Sequence, residues 1–80
     1  MASDDWTLDD GIQLQALMVC LKLDDWQVGQ LSALSIHQVR ELLSGVPNGK
    51  ASCFYSAAIK RHAGQRLLVS LGEGVGSDTR

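Results

Sequence analysis

Two cysteines and two histidines are the side chains in this sequence best suited to bind a metal or act in catalysis. They are Cys20, His37, Cys53 and His62. Structural zinc sites usually take their ligands in close pairs, two to four residues apart. Here every one of the four stands alone in the sequence. We therefore predict no metal site and no cofactor.

The same residues make a weak case for nucleophilic catalysis. Cys53 and His62 fall on different sides of one predicted helix. Cys20 and His37 lie on different predicted helices, where no glycine-rich elbow or set of oxyanion donors accompanies them. A chain of 80 residues also leaves little room for a closed pocket. The sequence predicts a protein that is not an enzyme and has no small-molecule substrate.

The segment 45–52 reads GVPNGKAS and partly matches a phosphate-binding loop. A true P-loop places Ser or Thr directly after the lysine and follows a strand, but Ala51 follows Lys50 and no strand is predicted before it. What remains is a helix start near Lys50, whose free amides could hold a phosphate.

Length and composition indicate one domain over 1–71, followed by a disordered, glycine-containing tail at 72–80. No apolar run is long enough to span a membrane, and the acidic start differs from a secretory signal. Cys20 and Cys53 are too few for a typical short secreted chain, so we expect buried, reduced thiols in the cytoplasm or nucleus. A single disulfide between them stays an alternative.

Helix signals occur along most of the chain. The predicted helices run from the N-cap Thr7 to about Leu23, from about Trp26 to Leu34 after Asp24 or Asp25, from Ser35 to the stop at Gly45, and from about Lys50 to Ala63. Residues 66–71 continue the fourth helix, form a separate short helix, or form a strand. The predicted fold class is all-α: a compact bundle of four or five short helices with a flexible C-terminal tail.

Two further expectations concern side chains that point inward. The inner side of the fourth helix is predicted to carry Ala51, Phe54, Tyr55, Ala58, Ile59 and His62. Trp6 and Trp26, near helix starts, are expected to anchor the core.

The first helix carries two apolar stripes on roughly opposite sides, and helices of this kind are normally buried. One stripe is Leu8, Ile12, Ala16, Val19 and Leu23; the other is Leu14, Leu17, Met18 and Leu21. Because so small a bundle covers only one of them, we predict that the second forms a protein interface with another copy. The leading hypothesis is a non-enzymatic regulatory or assembly module that self-associates through helices. If 66–71 folds back over this stripe, no surplus apolar surface is left for an oligomer.

The segment 29–42, GQLSALSIHQVREL, supports a second hypothesis. Gly29, Leu34, Ser35, Val39 and Leu42 occupy spacings that resemble the helix-turn-helix of bacterial DNA-binding repressors, with Ala33 where that family prefers glycine.

The resemblance implies a nucleic-acid-binding protein. His37, Gln38 and Arg40 would face the groove, and Lys50, Lys60 and Arg61 would complete the binding set. Net charge of −2 ranks this hypothesis second, because phosphate neutralisation dominates DNA binding.

Overall fold

The computed structural model describes residues 5–46 and 48–76, with side chains through residue 73. Four helices account for most of them: α1 Leu8–Leu21, α2 Asp25–Ser32, α3 Ile36–Ser44 and α4 Ala57–Gly76. The described ranges contain no strand. The prediction of an all-α bundle is confirmed, with α1 packed against both α3 and α4, and α2 against α3.

The first three helices begin where the sequence signals place them. Each has a capping box, in which the N-cap side chain accepts from the third helical amide and the third side chain accepts from the N-cap amide. The N-caps are Thr7, Asp24 and Ser35. Asp24, rather than Asp25, therefore starts α2, and Gly45 ends α3 in the left-handed conformation.

The core lies where α1 crosses α3 and α4. Its buried apolar side chains are Trp6, Leu14, Met18, Val28, Val39, Leu42, Phe54, Leu67 and Leu71. The crossing of α1 and α3 is close: a Cβ on Gly11 would lie 2.8 Å from the carbonyl oxygen of Leu42. Glycine at this position lets the two backbones approach each other.

The fourth helix differs most from its prediction. It begins at Ala57 rather than near Lys50, after Ser56 accepts a hydrogen bond from the Ile59 amide at 3.2 Å. It then runs without interruption through 66–71, which are a continuation of the same helix. Residues 72–76 belong to this helix and not to the predicted tail, whereas 77–80 lie outside the described residues.

Gly64 lies within α4, and Trp6 packs against it. The indole of Trp6 is buried, and its Nε1 donates to the carbonyl oxygen of Leu42 at 2.6 Å. A Cβ at position 64 would overlap the six-membered ring. Trp6 is therefore a core anchor as predicted, but Trp26 is more than half exposed, and that expectation was wrong.

The inner face of α4 was also assigned incorrectly. Tyr55 is 98% exposed, and Ile59 and His62 face outward. The buried positions are instead Lys60, Gly64, Leu67 and Leu71, which form one helical stripe at i, i+4, i+7 and i+11. Of the predicted inner residues, Phe54 is buried, but it lies in the loop before the helix.

Within the described residues, no helix is long and apolar enough to cross a membrane.

Candidate nucleic-acid interface

The contact between α2 and α3 is built on a glycine. A Cβ on Gly29 would lie 2.9 Å from the carbonyl oxygen of Leu34 and 3.7 Å from Cγ2 of Val39. The Leu34 amide donates to the carbonyl of Gly29 at 3.0 Å. A small residue here is therefore needed for the turn to fold back onto α2.

The turn itself is three residues long and closes through an unusual backbone conformation. Ala33 has φ +61°, in the left-handed region that favours glycine. Leu34 then points inward and Ser35 caps α3. Ala33 therefore carries a side chain in a conformation that glycine adopts more readily.

The inner and outer sides of α3 are clearly separated. Val39 and Leu42 are fully buried against the rest of the domain. His37, Arg40 and Ser44 are exposed, and their spacing of i, i+3 and i+7 puts them on one face. We call these three residues the outer face of α3.

Arg40 is held by α2 in this structure. Its Nε donates to Oδ2 of Asp25 at 2.9 Å, and the two side chains are 60% and 30% exposed. The hydrogen bond from Arg40 is the main reason why the pKa of Asp25 lies below its usual value. An exposed pair of this kind is weak, so Arg40 stays available to an external anion.

The loop between α3 and α4 is fastened to α3 by polar contacts. Glu41 Oε1 accepts from the Cys53 amide at 2.7 Å, and Oε2 accepts from the Ser52 hydroxyl at 2.5 Å. The Gln38 amide nitrogen donates to the Cys53 carbonyl at 3.2 Å. The Asn48 amide donates to Ser52 Oγ at 2.9 Å from the other side. Gln38 thus holds the loop while remaining partly exposed.

Lys60 cannot contact phosphate, and this prediction was wrong. Its side chain is 0% exposed, and Nζ lies 3.0 Å from Oε2 of Glu41. It also donates to the carbonyl oxygen of Val46. Burial alone would raise the pKa of Glu41, but hydrogen bonds from Cys53, Ser52 and Lys60 outweigh it and hold that pKa below its usual value.

The other predicted cations differ in exposure. Lys50 is exposed, at a turn that the Ser52 amide closes on the Gly49 carbonyl at 3.0 Å. It does not lie at a helix start, so the expected phosphate site on free helix amides is absent at this position. Arg61 is half-buried on α4.

Glu41 and Ser52 are residues that the sequence analysis missed. The need for a carboxylate partner to Lys60 can be predicted from the sequence only if α4 is recognised as one continuous helix. Lys60 then falls on the stripe of Leu67 and Leu71, and a buried lysine requires an anionic partner.

The predicted protein interface on α1 is corrected by the structure. Leu14 and Met18 are buried in the core, and Leu17 and Leu21 are half-buried against it. Both α3 and α4 pack against α1. The opposite stripe is the exposed one: Leu8, Ile12 and Val19 are 58%, 56% and 69% exposed.

The cysteines and histidines do not form a site among the described residues. No group of three or more His, Cys, Asp or Glu side chains there could hold a metal ion. Cys20 and Cys53 are free thiols, and both are exposed rather than buried as expected.

A groove of about 260 Å³ lies between the end of α2 and α4. Its apolar walls include Leu31, Leu34 and Ile59, with His62 and Arg66 beside them. The groove is smaller than most sites for small molecules, which occupy about 300–1,000 Å³.

Comparison with known protein families, curated proteins and solved structures finds no match to this chain.

Proposed function

We propose that this protein binds duplex DNA through the outer face of α3. The observation that carries the proposal is the α2–α3 junction, where Gly29 touches the Leu34 carbonyl and Ala33 takes the left-handed conformation. In helix-turn-helix proteins this junction leaves the second helix projecting far enough to enter the major groove.

The chemistry of the outer face agrees with this role. His37 and Arg40 carry hydrogen-bond donors, and the guanidinium of Arg40 suits the acceptor pair on guanine. The Ser44 hydroxyl donates to the Glu41 carbonyl at 2.8 Å and offers its oxygen as an acceptor. The only acid in α3 is Glu41, which turns inward and is paired with Lys60. The carboxylate beside the outer face is Asp25 of α2, and it is paired with Arg40.

The net charge of −2 does not argue against this surface once the acids are located. Asp10 and Asp24 cap helices, and Asp9 lies at the start of α1. Few exposed cations adjoin α3, so we expect a shallow salt dependence. Contacts from Arg40 and Lys50 alone predict a slope of log K against log salt of about −2.

The direct test is selection from a pool of duplexes with a randomised centre, followed by fluorescence anisotropy on the enriched duplex. Arg40→Ala is expected to weaken binding about tenfold or more, equivalent to about 1–3 kcal/mol. Arg66→Ala removes the same kind of side chain from α4 and should leave binding unchanged. Failure of any duplex to be enriched or bound at low salt would exclude the proposal. Lys60→Ala is unsuitable as a probe because it opens a buried ion pair.

A second proposal, self-association, is supported by the exposed stripe of α1. Leu8, Ile12 and Val19 lie on one face, and a contiguous apolar face on a small domain is typical of a protein contact. A second copy across a two-fold axis would bury the same residues on both partners and present two α3 helices to two half-sites.

Light scattering over a concentration series tests this second proposal. Ile12→Glu with Val19→Glu should shift the protein to monomer, whereas Val69→Glu, at an exposed apolar site on α4, should not. A wild-type monomer at the highest concentration would rule out self-association through α1.

A further inference from the structure

We propose that Glu41 is a positioning residue that holds Lys50 in place beside α3 for a phosphate contact. The inference rests on the proposed DNA binding and adds a second point of attachment to it. We call Glu41, Lys60, Ser52 and the Cys53 amide the loop clamp.

Few buried side chains hold the loop between α3 and α4 in place. Of the described residues between Asn48 and Tyr55, only Phe54 is buried, whereas Lys50, Ala51, Cys53 and Tyr55 are exposed. Apolar burial on one side chain does not fix the direction of a loop of this length. The polar contacts to Glu41 and Gln38 attach the loop to α3, and Asn48 adds a hydrogen bond to Ser52 within the loop.

Lys50 lies close in sequence to these restraints. The turn from Gly49 to Ser52 closes through a backbone hydrogen bond of 3.0 Å, with Lys50 in its tip. Ser52, the last residue of that turn, donates directly to Glu41. The position of the Lys50 backbone relative to α3 is therefore set within two residues of the clamp.

The loop clamp also attaches the loop to α3, the helix that is proposed to enter the major groove. Gln38 lies in the first turn of α3 and Glu41 in its second half, and both bond to Cys53. The N-terminal residues of a recognition helix are those that approach base edges, and phosphates flank them on either side. A lysine beside this part of α3 is suited to contact a flanking phosphate.

The buried charge of Lys60 explains why the clamp carboxylate points inward. Glu41 accepts from a hydroxyl and a backbone amide of the loop and pairs with a lysine of α4. A buried ion pair adds little net stability over an apolar pair. What it adds here is a fixed distance between α3, the loop and α4.

The experiment measures the salt dependence of binding to a labelled duplex of mixed sequence. Four proteins are compared: wild type, Lys50→Ala, Glu41→Gln and the double variant. Lys50→Ala should reduce the magnitude of the slope of log K against log salt by about 0.9 in the wild type. In the Glu41→Gln background it should change the slope little, because the lysine is no longer held. Lys22→Ala, at the end of α1, should leave the slope unchanged.

Ser52→Ala provides a second background that keeps the buried ion pair and removes one arm of the clamp. It should also diminish the effect of Lys50→Ala, and it keeps the test decisive if Glu41→Gln unfolds. If Lys50→Ala reduces the slope equally in all backgrounds, or not at all in a protein that binds the duplex, Glu41 has no positioning role while DNA binding stands. If the wild type binds no duplex, both proposals fail.

Discussion

The six-membered ring of Trp6 lies against the backbone of Gly64, with no side chain between the indole and α4. The same indole donates to the Leu42 carbonyl in α3. One side chain before α1 therefore sets the distance between α3 and α4.

Gly64→Ala should lower the free energy of unfolding by about 2–3 kcal/mol, because the new methyl group overlaps the buried ring and overpacking has costs of this order. The matched control is Gly72→Ala in the same helix, where a Cβ would meet no atom within 4 Å. That variant should gain about 0.5–1 kcal/mol from helix propensity. Chemical denaturation of both proteins measures the difference, and equal effects would contradict the packing described for Trp6.

Gly29→Ala should separate α2 from α3, because the added Cβ would lie 2.9 Å from the Leu34 carbonyl. We expect a loss of about 1–3 kcal/mol in stability, with a loss of duplex binding in the fraction that stays folded. Gln30→Ala, at the neighbouring exposed position of α2, should leave both quantities nearly unchanged. A fully stable Gly29→Ala protein would show that the junction tolerates a side chain.

Ala33→Gly should raise stability by about 0.5 kcal/mol. Relief of the left-handed strain on Ala33 outweighs the greater chain entropy of glycine in the unfolded state. Ala16→Gly, on the exposed side of α1, should instead lower stability by about 0.5–1 kcal/mol. Thermal unfolding of the two variants distinguishes these opposite signs, and a loss in Ala33→Gly would argue against strain at the turn.

Acid should weaken the loop clamp. The folded-state pKa of Glu41 is lowered, so its contribution to stability is present above the usual glutamate value and is lost as pH falls through the lowered pKa. The free energy of unfolding should therefore fall more steeply below about pH 4 in the wild type than in Glu41→Gln. The exposed pair of Asp25 and Arg40 should contribute little to this difference. Parallel pH profiles of the two proteins would contradict the role given to Glu41.

The parts of this fold that could be predicted depend on signals close together in sequence. The capping signals at Thr7 and Ser35 place a cap and its partner three residues apart, and they predicted the starts of α1 and α3. For α2 the sequence did not distinguish Asp24 from Asp25, and the structure shows the capping box at Asp24. The α2–α3 turn was recognisable for the same reason, since Gly29 and Leu34 are near neighbours.

The parts that could not be predicted depend on distant contacts. Gly64 looks like a helix break until Trp6 is known to lie on it, and Lys60 looks like a solvated cation until Glu41 is seen to face it. The inner face of α4 and the buried stripe of α1 depend on such contacts between helices that are distant in sequence.

Because Asp25 is paired with Arg40, its carboxylate competes with external anions for the guanidinium. Any external acceptor that binds Arg40 must first displace a carboxylate already in place at 2.9 Å. An isolated phosphate gains little by that exchange, whereas a ligand that offers two aligned acceptors at once gains more. The threshold set by the internal carboxylate is low, because an exposed ion pair of this kind is weak.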